Sequence, residues 1–188
     1  RDYMIILLMY ESAIRVSELI NVRLIDFRFS KPYSIKIVGK GNKQRYVPLS
    51  EQFIEKIQEY VLSLNNKKLE TDFLFTNHSN NKLTRAGVSH ILNKYVTIAR
   101  KNNLSLFQEN VTPHSLRHTK AMHLLQDDVN LIYIRDILGH SSIQTTEIYA
   151  RADSARLRQA IEKSYKELST ETKCKWQEEE IINWLKSF

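Results

Sequence analysis

The sequence predicts a mainly α fold carrying a small antiparallel β-sheet, an α+β class. Three observations lead there. Glycine occurs four times and proline three times in 188 residues, which favours long helices over many tight turns. Apolar residues recur at helical spacing behind capping residues in several places. A single stretch, YSIKIVGKGNKQRYVPLS, alternates as paired strands do on either side of a Gly-Lys-Gly-Asn turn, and it predicts a β-hairpin.

Along the chain, YMIILLMYESAIRVSELI is expected to form one strongly apolar helix with Arg15 and Glu18 as its inner charges. After the hairpin, Ser50 caps EQFIEKIQEYVLSL, apolar at Phe53, Ile54, Ile57, Val61 and Leu64. DFLF is a short extended piece. Thr84 caps the helix RAGVSHILNKYVTIARKN, and a loop around Leu104 to Val111 leads to another helix start at Thr112-Pro113. Gly139 ends the helix in NLIYIRDILGH. SSIQTTEIYA and DSARLRQAIEKSYKEL follow, then a polar joint from Ser169 to Lys175. In the last segment, WQEEEIINWLKSF, Ile181, Ile182, Leu185 and Phe188 form one helical stripe.

Lysine and arginine total 28 against 21 acidic residues, a formal charge of +7 that favours a polyanionic partner, nucleic acid or an anionic membrane surface. A single cysteine, Cys174, excludes an internal disulfide framework and a cysteine-based zinc ribbon, and suits a reducing, cytoplasmic setting. The longest apolar run, Met4 to Met9, is too short to span a bilayer. The chain opens at Arg1-Asp2-Tyr3 in helical sequence without an initiator Met, so a longer protein is expected.

TPHSLRHTKAMHLL poses the chemical question. His114, Arg117 and His118 fall at i, i+3 and i+4, so a helix groups them near its first turn. Histidines four apart suit a zinc pair. However, the position after the first histidine is Ser115 instead of the glutamate a metalloprotease needs, and Arg117 on that face repels a dication. An oxyanion accounts for more of the residues: helix N-terminal N–H groups and a planar guanidinium both suit phosphate oxygens. Solvated basic residues remain the plain alternative for this helix, and an Arg15–Glu18 pair with a purely structural role remains one for IRVSEL. Lys40, between glycines at the hairpin tip, either approaches a ligand or is an ordinary turn lysine.

With Arg15, Lys40, His114, Arg117, His140 and Tyr149 in this order, the chain resembles the catalytic domain of the tyrosine recombinases, a family that includes phage and transposon integrases. IRVSEL, GKGNKQRYVPL, HSLRHTKAMHLL and LGHSSIQTTEIYA carry the resemblance. It covers Tyr3 to Leu168 and implies a catalytic domain over residues 1–168, whose fold is that of the family, with a core-binding domain N-terminal to it. Residues 169–188 are then a linker and an amphipathic helix that packs either on its own domain or on a neighbouring protomer.

The resemblance implies a site-specific recombinase that cleaves and rejoins duplex DNA through a 3′-phosphotyrosyl intermediate, with no metal or other cofactor and no ATP. Tyr149 is the implied nucleophile. Arg15 and Arg117 clamp the non-bridging oxygens, Lys40 protonates the leaving 5′ oxygen, His114 handles a proton and His140 hydrogen-bonds the phosphate. Glu18 and His118 support the site. Lys43, Arg45, Arg85, Lys94 and Arg100 are candidate DNA contacts. The implied setting is bacterial or phage-encoded, cytoplasmic and DNA-associated, with a tetramer on double-stranded DNA and no membrane. A type IB topoisomerase and a catalytically inactive DNA-binding regulator are the competing readings. Two positions depart from the family pattern: Ser12-Ala13 stand for Thr-Gly, with little effect expected, and Asp127-Asp128 replace a glycine that commonly ends the helix.

Overall fold

The apolar stretch from Tyr3 to Ile20 forms two helices instead of the one expected. Helix α1 (Asp2–Glu11) stops at Ser12, whose hydroxyl donates back to the Leu8 carbonyl at 2.7 Å. Ala13 then takes a left-handed conformation, with φ 48°, and turns the chain. Arg15 is extended and caps the short helix α2 (Val16–Leu19). The Glu18 carboxylate accepts the Arg15 backbone N–H at 3.0 Å, the acidic arm of a capping box, and so favours a fresh helix start over a continuous helix. Arg15 therefore lies in the break between the helices, not within one.

The computed structural model describes residues 1–64, 69, 71–102, 111–140, 142, 145 and 146. The chain divides at Glu147–Ile148, and the description concerns the first unit. Tyr149, Cys174, the polar joint, the segment 176–188 and the expected boundary at 168/169 lie outside the described residues.

The predicted hairpin is present as β2 (Ser34–Val38) and β3 (Gln44–Pro48), with β1 (Phe27–Arg28) added in the order β1-β2-β3, all antiparallel. Ile35 faces Val47 and Ile37 faces Arg45 across the hairpin. Since side chains alternate between faces, Arg45 and Val47 share the side of the sheet that carries the buried Ile35 and Ile37. The tip is a short 3-10 turn, Lys40–Asn42, where Gly41 (φ 72°) and Asn42 (φ 59°) are left-handed.

Helix α3 (Glu51–Ser63) is capped by the Ser50 hydroxyl, which accepts the Phe53 N–H at 3.3 Å. DFLF contains an isolated bridge from Phe73 to Arg23. Helix α4 (Arg85–Asn102) is capped by Thr84, whose hydroxyl accepts the Gly87 N–H at 3.0 Å. Helix α5 (Pro113–Gln126) starts at Thr112, whose hydroxyl accepts the Ser115 N–H at 3.2 Å. Asp128 takes the left-handed position after it, with φ 60°, a conformation acidic residues tolerate. Helix α6 (Leu131–Leu138) ends at the left-handed Gly139. The core joins Ile5, Leu8 and Met9 of α1 to Ile35, Ile37 and Val47 of the sheet and to Phe53, Ile54 and Ile57 of α3. Helix α1 also packs against α4 and α5. Among the described residues, no helix is long and apolar enough to cross a membrane.

Ala13 departs from the expectation of little effect, because its conformation is one that an L-residue adopts at a cost of about 1–2 kcal/mol. The buried methyl group offsets part of that cost. Ala13→Gly is expected to leave stability unchanged or to raise it by up to about 1 kcal/mol, and Ala13→Val to lower it by at least about 2 kcal/mol through β-branched strain. Urea denaturation of both variants checks this; a less stable glycine than valine variant contradicts it.

Candidate functional site

The C-terminal end of α6 organises the site. A helix leaves its last carbonyls without intrahelical partners, and these form the negative end of the helix dipole. Here three consecutive carbonyls each receive an arginine. Arg45 Nε donates to the Ile137 carbonyl at 2.9 Å, Arg117 Nη2 makes a short hydrogen bond to the Leu138 carbonyl, and Arg15 Nη2 donates to the Gly139 carbonyl at 3.2 Å. The three come from different elements: β3, α5 and the break before α2. Gly139 (φ 62°) permits the sharp exit that presents these carbonyls, and it delivers His140 directly beside them.

One carboxylate sits among the arginines. Glu18 is 6% exposed. Its two oxygens accept Arg45 Nη1 at 2.9 Å and Arg45 Nη2 at 2.8 Å in a fork-to-fork pair. Arg15 adds a side-chain hydrogen bond at 3.1 Å to the same carboxylate. Burial alone would raise the Glu18 pKa, but the hydrogen bonds from Arg45 and from the Arg15 N–H, with the attraction of both guanidinium groups, hold it below the usual carboxylate range.

Arg117 is 3% exposed, and its Nη1 also donates to the Ala13 carbonyl at 2.7 Å. The carbonyl of the strained residue is thus a fixed anchor for the arginine. The face shared by His114, Arg117 and His118 divides in the structure: Arg117 turns inward, while both histidines are exposed. Among the described residues, no three His, Cys, Asp or Glu side chains converge into a group fit to hold a metal ion.

His140 is half-buried, and its Nδ1 lies 3.1 Å from the hydroxyl of the fully buried Thr146. Burial first, then the positive charges of Arg117, Arg15 and Arg45 and the His114 ring, push its pKa down to about 4. His140 is therefore a neutral imidazole at neutral pH, able to donate a hydrogen bond without adding charge. Arg15 and Arg45, paired with Glu18, and Arg117, held at the same helix end, make a setting suited to an anion with several oxygens.

Arg15, Glu18, His114, Arg117 and His140 are thus brought together. Lys40 and Lys43 are exposed at and beside the hairpin tip, and Arg85 and Lys94 are exposed on α4, where Arg100 is half-buried. His118 is exposed on α5. Arg45, expected to be a DNA contact, instead turns its guanidinium inward to Glu18 and α6. Sequence reasoning missed this role of Arg45 and the contact of Thr146. Strand alternation held the signal for Arg45, which stands opposite the apolar Ile37; nothing in the sequence pairs Thr146 with His140.

The phage integrase family model matches residues 1–156. The chain belongs to this family. This integrase-family chain is 38% identical over 167 residues to the tyrosine recombinase XerA of Pyrococcus horikoshii, covering 87% of this chain and 55% of that protein. It is 35% identical over 162 residues to the tyrosine recombinase XerD of Staphylococcus haemolyticus, covering 85% of this chain and 52% of that one. Its fold is similar to that of the XerH site-specific recombinase in a post-cleavage complex with palindromic difH substrate. The TM-score is 0.73 at 30% identity, over 86% of this chain and 45% of that chain. The integrase-family chain thus spans about half the length of these relatives.

Two outcomes follow from the geometry. Glu18→Ala leaves Arg45 partly buried without its anion and is expected to cost about 3–5 kcal/mol in urea denaturation; a cost below about 1 kcal/mol contradicts the pairing. His140 has a folded pKa of about 4 against an ordinary 6.5, so the unfolded chain binds the proton more readily. The stability this neutral histidine contributes is complete above pH 6.5 and is lost as pH falls toward 4. In His140→Gln the decline over that window should be shallower than in the unmodified chain; identical pH profiles contradict the shift.

Proposed function

We propose that this chain is the catalytic part of a site-specific DNA recombinase that cleaves and rejoins duplex DNA through a 3′-phosphotyrosyl link. The observation that carries this reading is the convergence of Arg15 and Arg117 on the end of α6 beside the neutral His140. Membership of the phage integrase family, likeness to a relative named a tyrosine recombinase and likeness to a solved site-specific recombinase support the same reading.

In this scheme Tyr149 attacks the scissile phosphorus. Tyrosine is a weak nucleophile at neutral pH, since its pKa is about 10, so the electrophile must be neutralised and a base must be close. Arg15 and Arg117 balance the charge that grows on the non-bridging oxygens of the pentavalent transition state. His140 donates a hydrogen bond to one of those oxygens, and His114 handles a proton. Lys40, carried on the hairpin tip, protonates the departing 5′ oxygen. The P–O bond to that oxygen breaks as the bond to the tyrosine oxygen forms, so the phosphodiester energy stays in the covalent link. A second strand's 5′-hydroxyl then reverses the step and releases Tyr149. Four protomers on two duplexes would exchange strands in this way.

Lys43, Arg85, Lys94 and Arg100 are proposed to contact the DNA backbone. Binding of this chain to a duplex is therefore expected to weaken steeply with salt, log Kd changing linearly with log salt concentration. Fluorescence anisotropy across a salt series checks this, and an affinity indifferent to salt contradicts it.

The reaction is tested with a pool of nicked duplexes carrying randomised arms around the nick, followed by a denaturing gel. A covalent protein–DNA band is expected, and it should vanish in Tyr149→Phe. A band that persists in that variant overturns the assignment of the nucleophile.

A further inference from the structure

We infer that Arg45 is a positioning residue: its guanidinium ties strand β3 to the Glu18 carboxylate and to the last turn of α6, and so fixes where Arg15 and His140 stand. The inference rests on the phosphate-site reading above and deepens it. Arg45 satisfies three acceptors at once, both oxygens of Glu18 and the Ile137 carbonyl, all within 2.9 Å. Its side chain is 13% exposed. Glu18 in turn holds Arg15 through the backbone N–H and the guanidinium, so a displaced Arg45 fork leaves Arg15 with a mobile counterion.

The surrounding glycines leave this fork its space. A Cβ on Gly139 would stand 3.0 Å from Arg45 Cδ and from Arg45 Nη1, and a Cβ on Gly39 would stand 3.2 Å from Glu18 Oε1. Gly139 therefore serves two needs: the left-handed exit from α6 and the close passage of Arg45 over it. A lysine in place of Arg45 keeps the charge but presents a single point donor, which cannot span a carboxylate and a carbonyl in the same plane. The basic residues near it in sequence, Lys40 and Lys43, are both exposed.

Among the described residues, the charged and titratable groups acting on His140 are Arg117 and His114 from α5, Arg15 from the break before α2 and Arg45 from β3. Removing the Arg45 charge should therefore raise the His140 midpoint, whereas Arg45→Lys should leave it near its original value. The experiment combines an NMR titration of the His140 ring with single-turnover cleavage of the nicked-duplex pool and anisotropy on the same DNA. Arg45→Gln is expected to raise the His140 midpoint. Arg45→Lys is expected to slow adduct formation about tenfold or more with duplex affinity unchanged within about twofold.

Adduct formation at the original rate in Arg45→Lys overturns the inference. So does a slowing matched in full by weaker DNA binding, which would make Arg45 a DNA contact. Should the unmodified chain form no adduct, the proposed reaction fails, and the His140 ring chemical shifts in Arg45→Lys, which keeps the charge, decide the inference: shifts displaced from those of the unmodified chain support it and coincident ones overturn it. Should Arg45→Gln not fold, the same chemical-shift comparison in Arg45→Lys takes its place.

Discussion

Three arginines from three separate parts of the chain meet three consecutive carbonyls at the end of one short helix, and two of them, Arg15 and Arg45, share the buried carboxylate of Glu18. That arrangement sets much of the rest. Like charges brought this close repel, and helix-end carbonyls buried without donors are costly. Each problem solves the other: the carbonyls of Ile137, Leu138 and Gly139 accept the guanidinium groups, while Glu18 neutralises part of their charge. The cluster therefore binds β3, α5 and the break before α2 to α6, and it leaves an electropositive setting at His140.

The backbone serves the same cluster. Ala13 accepts left-handed strain, and its carbonyl accepts a second hydrogen bond from the Arg117 guanidinium. Arg15 stands in extended backbone because the chain has left α1 and not yet entered α2, so its side chain reaches Glu18 and Gly139 together. An unbroken helix over Tyr3 to Ile20 would remove both features. Local strain and local function thus coincide in Ser12 to Arg15, the stretch where the smooth apolar pattern conceals a turn.

Much of this fold was legible beforehand. Ser50, Thr84 and Thr112 mark helix starts because their hydroxyls satisfy otherwise orphan N–H groups, and Gly139 marks an end because it takes a positive φ without strain. The hairpin followed from strand alternation. The broken first helix did not, because alanine carries no sign of a left-handed turn as glycine does. Nor did β1, whose two residues are too few to show a period. The order of arginines and histidines indicated a phosphate site, yet only the fold shows that Arg117 is buried while its helical neighbours His114 and His118 are exposed. Arg45 was open to recognition from its register opposite Ile37, but a basic residue near a basic hairpin tip more readily suggests a nucleic-acid contact.

The central claim is that Glu18 and Arg45 act as one unit on which the arginine cluster rests. A double-mutant cycle tests it most directly, with Glu18→Gln, Arg45→Gln and the double variant compared by urea denaturation. Groups joined by a buried bidentate pair should be strongly coupled, by about 2 kcal/mol or more, so the double variant should be far less destabilised than the sum of the single changes. Additive losses, with a coupling indistinguishable from zero, would contradict the account.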